Sequence, residues 1–376
     1  MIILSFVLCN SCVDEYWPEL DKYENLLVID GYISNEPGPY TIKLSLSSKV
    51  EEIKIIPVSN AMVTIMNDQG VSEVLTESEA GTYVTSINGI QGQIGRKYKI
   101  AIITADGKSY SSEFEKLLQP TEIESINAQL EYREQENIAH NLAGYQFYLN
   151  TFQAISDTNY YLTKLEATYK YKADFLIRYI FDGTLRPFEN SDSLQTCWKT
   201  YNVPQIYTYS TLNLTEPVIR NYPLLYVDTE TDKLYIRYSL LVQQFSLSES
   251  AYQFWSQVKE NSYDQGGLYN TQPYQVRGNI SNTNDPEEPV LGYFMSAGIS
   301  KKRIFVYPPP VLFYFGHCEL TDWDFENMGT IYLTGPDEWP VYATTDNIGR
   351  RAFPVQACIN CELNGGTIVK PDFWED

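Results

Sequence analysis

The strongest constraint on the fold is a series of short apolar runs, separated by turn residues, between residues 26 and 118. Residues 40–46 alternate apolar and polar side chains with a period of two, and residues 61–66 lead into a polar turn that ends at Gly70. A period of two places successive side chains on opposite faces of a strand, one of which covers a core. About seven such strands within about 90 residues predict a small β-sandwich.

Residues 121–376 carry further strand signals and one helix signal. Strands are predicted at residues 144–152, 160–171, 224–227, 233–242, 290–295 and 303–307. Ser246 and Glu249 have the spacing of a capping box, which predicts that a helix begins there. The apolar face of this helix is interpreted as core packing and consists of Ala251, Tyr252, Trp255 and Val258. We therefore expect a larger β-rich domain with one clear helix.

The first twelve residues indicate export. An apolar run from Ile2 to Leu8 is too short to span a bilayer and ends in Cys9-Asn10-Ser11-Cys12. This end resembles the lipobox of bacterial lipoproteins, in which the cysteine, here Cys12, is acylated and becomes the mature N-terminus. The spacing of Leu8 and the lack of basic residues before it lead us to expect that a few upstream residues are missing. The alternative is an ordinary buried strand.

Acidic residues follow Cys12 directly. Asp14 and Glu15 resemble the surface-export signal of Bacteroidota lipoproteins. We expect residues 1–11 to be a signal peptide, residues 12–25 a tether, residues 26–118 the sandwich and residues 121–376 the β-rich domain. The order of the strands in the sandwich resembles Ig-like or transthyretin-like modules. The expected location is the outer membrane, with a lipid anchor and exposure at the cell surface.

Charge and composition exclude several functions. The chain has 27 Lys and Arg against 48 Asp and Glu, a net charge of −21, so nucleic acid is not an expected partner. His140 and His317 are its two histidines. No nucleophile elbow, His-Glu-x-x-His motif or phosphate-binding glycine loop is present. We expect a protein that is not an enzyme and needs no cofactor, although a pair of carboxylates acting as in a glycosidase stays open.

Four cysteines remain after the lipobox: Cys197, Cys318, Cys358 and Cys361. An even number in an exported chain favours two disulfides. A bond between Cys358 and Cys361 would close a tight loop, so we prefer that each joins one distant partner, Cys197 or Cys318. A zinc site is the alternative, but four-cysteine zinc sites usually contain two close pairs. We expect no metal.

Residues 282–288 form the densest run of oxygen-bearing side chains. Calcium takes six to eight oxygens, often from one loop. The run lacks the spacing of a known calcium loop, and Pro286 and Pro289 suit a polar turn. We interpret it as a solvated turn.

Aromatic runs are the remaining candidates for a ligand site. They occur at residues 160–161, 169–171, 201–209 and 313–315. Tyrosine rings stack on sugars or peptide side chains, but they also fill the half-buried faces of sheets. Because residues 201–209 have a weak strand signal, we expect a ligand loop that carries Tyr201, Tyr207 and Tyr209.

Several motifs recur in order through the second half of the chain. They are Tyr235-Ile236-Arg237-Tyr238-Ser239, Gln243-Gln244, Ala251-Tyr252-Gln253-Phe254-Trp255, Gly266-Gly267-Leu268-Tyr269, Gln272-Pro273, Gly278-Asn279-Ile280, Val290-Leu291-Gly292-Tyr293-Phe294, Cys358-Ile359-Asn360-Cys361, Gly365-Gly366-Thr367 and Lys370-Pro371-Asp372-Phe373-Trp374. Behind a lipobox and a small sandwich, they resemble the Bacteroidota lipoprotein family catalogued as domain of unknown function 4249. That family's genes tend to lie beside a TonB-dependent outer-membrane receptor, and it carries no established catalytic residues.

The resemblance implies a surface lipoprotein that helps a TonB-dependent nutrient transporter capture its substrate. A structural or adhesive surface module is the alternative, and a surface hydrolase is a third hypothesis. The sequence identifies no ligand.

Overall fold

A computed structural model of the chain describes residues 25–48, 55–134, 141–154, 159–263 and 276–375. The expected signal peptide, Cys12, the acidic pair behind it, His140 and the Gly266-Gly267 motif lie outside the described residues.

Strands dominate the described chain. The first half contains β1 (Leu27–Ser34), β2 (Thr41–Leu46), β3 (Ile56–Pro57), β4 (Met62–Asn67), β5 (Ser72–Val74), β6 (Thr76–Glu79), β7 (Thr82–Val84), β8 (Lys97–Ile103), β9 (Ser109–Ser112) and β10 (Glu115–Lys116). The second half contains β11 (Ile123–Arg133), β12 (Leu142–Thr151), β13 (Tyr160–Lys172), β14 (Tyr179–Phe181), β15 (Leu185–Pro187), β16 (Thr196–Ser210), β17 (Tyr222–Asp228), β18 (Arg237–Leu247), β19 (Ile280–Asn282), β20 (Leu291–Val306), β21 (Val341–Thr345) and β22 (Arg351–Ala352).

The α-helices of the described residues are α1 (Glu249–Tyr263) and α2 (Asp322–Glu326). Short 3-10 helices lie at Asp232–Leu234, Asn327–Leu333, Gln356–Cys358 and Cys361–Asn364. The predicted mainly β fold is confirmed.

A long central sheet runs through both halves of the chain. Its strand order is β16-β13-β18-β20-β1-β2-β7-β6, and β3 pairs with β2. The two halves meet where β1 pairs in parallel with β20, from Val28 opposite Leu291 to Ser34 opposite Ala297. The sheet therefore extends across the domain division expected near residue 118, and that division stays a prediction.

Two smaller sheets cover one face of the central sheet. The sheet β19-β9-β8-β4-β5 packs against β1, β2 and β7 around Ile29, Ile65 and Phe294. The sheet β11-β12-β17 packs against β13, β16 and β18 around Phe147 and Val242. The chain thus forms two sandwiches side by side on one shared sheet.

Helix α1 covers the opposite face of the central sheet. Side chains alternate along β20, so Phe294 points to the face of the sandwiches while Met295 and Ile299 point to the helix. Ala251 and Phe254 of α1 are buried against them, and Tyr252, Trp255 and Val258 pack around the rim. The interpretation of the apolar helix face as core packing is confirmed.

The expected start of the helix was wrong by two residues. Ser246 is buried inside β18, and α1 begins at Glu249, with the Ser248 hydroxyl accepting a 3.2 Å hydrogen bond from the Ala251 N–H. Ser246 is held by strand pairing with Tyr161 and Gly298, and its hydroxyl accepts a 3.2 Å hydrogen bond from the Thr121 N–H. Strand β18 therefore continues past Ser246, the residue that the sequence pattern predicts as the helix cap.

Other boundaries also differ from the predicted ones. The strands expected at residues 290–295 and 303–307 are one continuous strand, β20, because the basic run at residues 301–303 pairs with residues 241–243 of β18. The strand expected at residues 233–242 begins only at Arg237, after a 3-10 turn. The long strands β11 and β16 were not predicted.

The segment between the two halves crosses β20 at Gly298. A Cβ on Gly298 would overlap the carbonyl oxygen of Leu118 and the ring of Pro120. The Gln244 side chain also donates a 2.8 Å hydrogen bond to the carbonyl oxygen of Thr121. The crossing segment is therefore packed directly on the sheet, with no room for a side chain beneath it.

We expect Gly298→Ala to lower the free energy of unfolding by about 1–3 kcal/mol, because overpacking forces the crossing segment away from the sheet. Gly329→Ala is the matched control, since a Cβ there meets no atom within 4 Å. Urea unfolding of both variants measures the difference. Equal midpoints would contradict the close packing at Gly298.

Candidate functional site

A cavity of about 630 Å³ opens where the C-terminal end of β13 meets the connection from β17 to β18. Its other walls are the segment at residues 315–318 and the tail around Cys358 and Asn364. Ligand sites of small molecules have volumes of roughly 300–1,000 Å³. Its size and its mixed polar and aromatic walls make this cavity the candidate site.

The rings of Tyr235, Phe315 and His317 line one wall of the cavity, and together with Phe313, which packs against Tyr235, they are hereafter called the aromatic cluster. The Tyr235 ring centroid lies 5.3 Å from that of Phe313, 5.1 Å from Phe315 and 5.5 Å from His317. Phe313, Phe315 and His317 occupy alternate positions of one segment, and their rings lie on the side that contacts Tyr235. Tyr235 remains 46% exposed, so its ring is accessible from solvent.

Asp232 and Tyr235 come from one 3-10 turn that lies between β17 and β18. The Tyr235 N–H donates a 3.0 Å hydrogen bond to the carbonyl oxygen of Asp232, which closes the turn. Both side chains line the cavity. The turn therefore brings a carboxylate and an aromatic ring to the same cavity.

The Asp232 carboxyl is half-buried, and its pKa is raised. Burial is the main cause that raises its pKa above the ordinary value, and the charge of Asp174 acts in the same direction. Its own backbone N–H and the ammonium groups of Lys199 and Lys233 lower the pKa without offsetting burial. Among the described residues, Asp232 has no ion-pair partner within 4 Å.

Asp174 holds the end of the aromatic segment in place. Its Oδ1 lies 2.9 Å from Nδ1 of His317, and its Oδ2 accepts a 2.8 Å hydrogen bond from the Cys318 N–H. Both carboxylate oxygens are therefore engaged, and Asp174 positions His317 at the cavity wall.

Two disulfides frame the cavity. Cys197 is bonded to Cys361 and Cys318 to Cys358, so the predicted pair of disulfides is confirmed and each close cysteine joins a distant one. The first bond ties the C-terminal tail to β16, and the Tyr171 hydroxyl donates a 2.6 Å bond to the carbonyl oxygen of Cys361. The second bond joins two cavity walls directly.

The disulfides also remove the zinc alternative, because all four cysteines among the described residues are disulfide-bonded. Across the described ranges, no group of three or more His, Cys, Asp or Glu side chains is arranged to hold a metal ion.

The loop expected at residues 201–209 is instead part of β16, which pairs with β13 on both sides of an irregularity at residues 204–206. Tyr209 is buried, its hydroxyl donates a 2.6 Å hydrogen bond to Oε1 of Gln244, and its ring stacks on that of Tyr161. Burial also raises its pKa. Tyr209 belongs to the core, as the tendency of tyrosine to fill sheet faces indicates.

The two other tyrosines expected in the ligand loop are half-buried. Tyr207 packs against the same core, and Tyr201 borders a second cavity of about 240 Å³ together with Lys233. The structure does not bring Tyr201, Tyr207 and Tyr209 to one common site, and a ligand role for Tyr201 and Tyr207 stays a prediction.

The turn at residues 282–288 uses its oxygens internally. Oδ1 of Asn282 accepts hydrogen bonds from the N–H groups of Asn284 at 2.8 Å and Asp285 at 3.2 Å. Glu288 pairs with Lys108 at 3.0 Å. These contacts fit a polar turn.

Sequence reasoning missed the carboxylates of the cavity. Asp174 and Asp232 lie far apart in the chain and follow no recognised motif, so no local signal marks them. A usable signal was the alternation of Phe313, Phe315 and His317 directly before Cys318, which places three rings next to a cysteine of a predicted disulfide.

We expect Asp232→Asn to stabilise the protein at neutral pH. The unfolded chain releases the Asp232 proton near the ordinary aspartate pKa of about 3.9, and the folded chain releases it at a higher pH. The stability contributed by this group is thus complete below the unfolded pKa and is lost as the pH rises through the folded pKa. Thermal melts should show a gain for the variant at pH 7 that disappears below pH about 3. A loss of stability at pH 7 would contradict this.

The fold and the cavity define a class: a mainly β, multi-sheet protein, cross-linked by two disulfides, with an open aromatic-walled cavity. The chain belongs to the family described as domain of unknown function DUF4249, whose model matches residues 13–303. No curated protein matches the chain. The matched range ends before the aromatic segment and the C-terminal motifs, so most of the aromatic cluster lies beyond it.

In the part of the chain that the structure describes, no helix is both long enough and apolar enough to cross a membrane.

Proposed function

We propose that the chain is a surface-exposed, lipid-anchored outer-membrane protein that captures a ligand for a TonB-dependent transporter. The ligand occupies the 630 Å³ cavity beside the aromatic cluster. The protein acts by binding and holding the ligand, with no chemical step.

The observation that carries the binding role is the cavity wall itself. Tyr235, Phe315 and His317 present rings to a space of ligand size, and the Cys318–Cys358 disulfide fixes the segment that carries two of them. Rigid aromatic surface binds a ligand at a small entropic cost, because few side-chain torsions must be ordered.

The anchor rests on Cys12 and the acidic residues behind it, which lie outside the described residues. The transporter partner rests on the family resemblance. The family match gives support because it begins at residue 13, directly behind the expected lipidated cysteine. Exposed apolar side chains at Trp323, Tyr332 and Leu333 offer a surface suited to protein contact.

Co-purification tests the proposal. The tagged chain is expressed from its own locus in a Bacteroidota host, extracted from outer membranes in detergent, and its companions are identified by mass spectrometry. We expect a TonB-dependent receptor in near-equal amount. Recovery of the lipoprotein without a β-barrel would contradict the partnership and favour the structural or adhesive module.

A matched pair of variants tests the anchor in the same cells. Cys12→Ser should release the protein from the outer membrane, because the acylated thiol is lost, while Cys9→Ser should leave it in place. Equal membrane fractions for both variants would contradict lipidation at Cys12. An activity screen on glycans and peptides addresses the hydrolase hypothesis.

A further inference from the structure

We propose that the cavity binds a cationic organic ligand, with an ammonium or guanidinium group held between the Asp232 carboxylate and the Tyr235 ring. This inference rests on the proposed function only in taking the cavity as the ligand site. Neither the family match nor the resemblance states a ligand class.

Charge is the first reason to expect a cationic ligand in this cavity. Asp232 and Asp174 both line the cavity, and Asp174 is already engaged by His317 and the Cys318 N–H. Asp232 has no ion-pair partner within 4 Å among the described residues, whereas Asp182 and Asp346 each pair with an arginine. Lys172 also borders the cavity and is exposed. Lys199 and Lys233 act on Asp232 only from beyond this distance, so a cationic ligand can supply the direct ion pair that the carboxylate lacks.

The ring surface of Tyr235, which lines the same cavity as Asp232, is the second reason to expect a cationic ligand. A cation within about 6 Å of an aromatic centroid is attracted to the ring face. The chain uses this contact elsewhere, with the guanidinium of Arg303 3.6 Å from the Phe373 centroid and that of Arg133 3.7 Å from the Tyr226 centroid. Within the described ranges, no Lys or Arg lies over Tyr235, and its ring is 46% exposed. The position over Tyr235 is therefore open to a cation from outside.

The carboxylate and the aromatic ring together favour a cationic ligand over a neutral sugar. A sugar would stack on the rings but would leave the half-buried carboxylate without a direct ion pair, which is costly in a partly desolvated site. A guanidinium satisfies both features, because its plane stacks on a ring while its N–H groups bond a carboxylate.

The experiment compares two probes of the same shape. Acetyl-arginine amide carries a guanidinium, and acetyl-citrulline amide replaces it with a neutral ureido group. Binding to the full chain is followed by ligand-observed NMR, with maltotriose as the sugar probe. We expect the arginine probe to bind at least about tenfold more tightly than the citrulline probe, the size of a charge-assisted hydrogen bond.

Variants locate the site. Asp232→Asn should remove the preference for the arginine probe, while Asp182→Asn, which loses the same charge at a distant ion pair, should keep it. Tyr235→Leu should weaken the arginine probe and leave Asp232 in place. Because Asp232→Asn is expected to be more stable at neutral pH, loss of binding there would not reflect unfolding.

The pH dependence gives a second readout. Binding of the arginine probe should weaken as the pH falls and Asp232 takes up its proton. The charged groups that face Asp232 are Asp174, Lys199 and Lys233, with Lys172 and His317 elsewhere on the wall. The Asp232→Asn variant isolates the share of Asp232 in this pH dependence.

Three results would each overturn the proposed cationic ligand. They are equal affinity for both probes, an unchanged preference for the arginine probe in Asp232→Asn, and no binding of the arginine probe. Binding of maltotriose that is lost in Tyr235→Leu would overturn it while leaving the cavity as the ligand site. The co-purification experiment reports on the transporter partnership independently of all of these results.

Discussion

Replacing Cys197 and Cys361 together with alanine is expected to lower the free energy of unfolding by about 5 kcal/mol, the chain-entropy estimate for a cross-link that closes a loop of this length. The bond joins residues 164 positions apart, and both cysteines are fully buried. It fixes the C-terminal tail to β16, so its loss frees the unfolded chain and loosens the tail at once. Urea unfolding under non-oxidising handling of the variant measures the change.

The Cys318–Cys358 bond provides the control for this prediction. It joins residues 40 positions apart. Its removal is expected to cost less stability, about 4 kcal/mol, because the closed loop is shorter. It should affect ligand affinity more strongly, because this bond joins two walls of the cavity. A variant without Cys197 and Cys361 that unfolds at the midpoint of the unchanged protein would contradict the stabilising role.

The local alternation of apolar and polar residues was sufficient to predict most strands of the first sandwich. Residues 40–46, 61–66 and 98–103 alternate clearly, and the structure places β2, β4 and β8 there. Period-two alternation reports a strand with one covered face, which is the environment of these strands. The class of fold and the presence of two disulfides therefore followed from the sequence.

Two strands of the central sheet were harder to predict, because β20 is buried on both faces from Tyr293 to Ser300 and β16, at the edge of the sheet, has only four buried residues. β16 is covered in part by the tail and lacks clean alternation, so residues 201–209 of this strand were interpreted as a ligand loop. β20 contains Gly298 and a basic run, both of which suggest a break in isolation. Only the crossing segment and the pairing with β18 explain them.

The candidate site depended on tertiary proximity. Asp174 follows β13, Asp232 lies between β17 and β18, and Phe315 lies near the C-terminus, so their meeting requires the long-range pairing of the sheet. The aromatic runs were visible in the sequence, but burial separates Tyr209, which is packed in the core, from Tyr235, which is exposed at the cavity.

The long-range pairing has a consequence for the two halves of the chain. The core of the first sandwich includes Ile280, Val290 and Phe294, all of which come from the second half. β19 and β20 also supply hydrogen-bonded neighbours to β9 and β1. A chain ending at residue 118 would lose this part of its core and expose an edge of β1.

A buried carboxylate adds a polar link between the halves. Glu115 of β10 accepts hydrogen bonds from the hydroxyls of Tyr293, Ser248 and Ser250, at 2.6 Å for Ser248 and 3.1 Å for Ser250. Its charge lies at the N-terminus of α1, where the helix dipole favours an anion. Separating the halves would leave these hydroxyls without their partner.

We therefore expect residues 26–118, expressed alone, to be largely unfolded, whereas the full chain unfolds in one cooperative transition with contributions from both sandwiches. Near-ultraviolet circular dichroism and the dispersion of amide NMR signals test the fragment. Phe294→Ala in the full chain is a milder version, because removing a buried phenylalanine side chain costs about 3–5 kcal/mol. It should lower the unfolding midpoint reported by probes in both sandwiches equally. A fragment with dispersed signals, or a variant in which only the first sandwich unfolds early, would instead establish the sandwich as an independent domain.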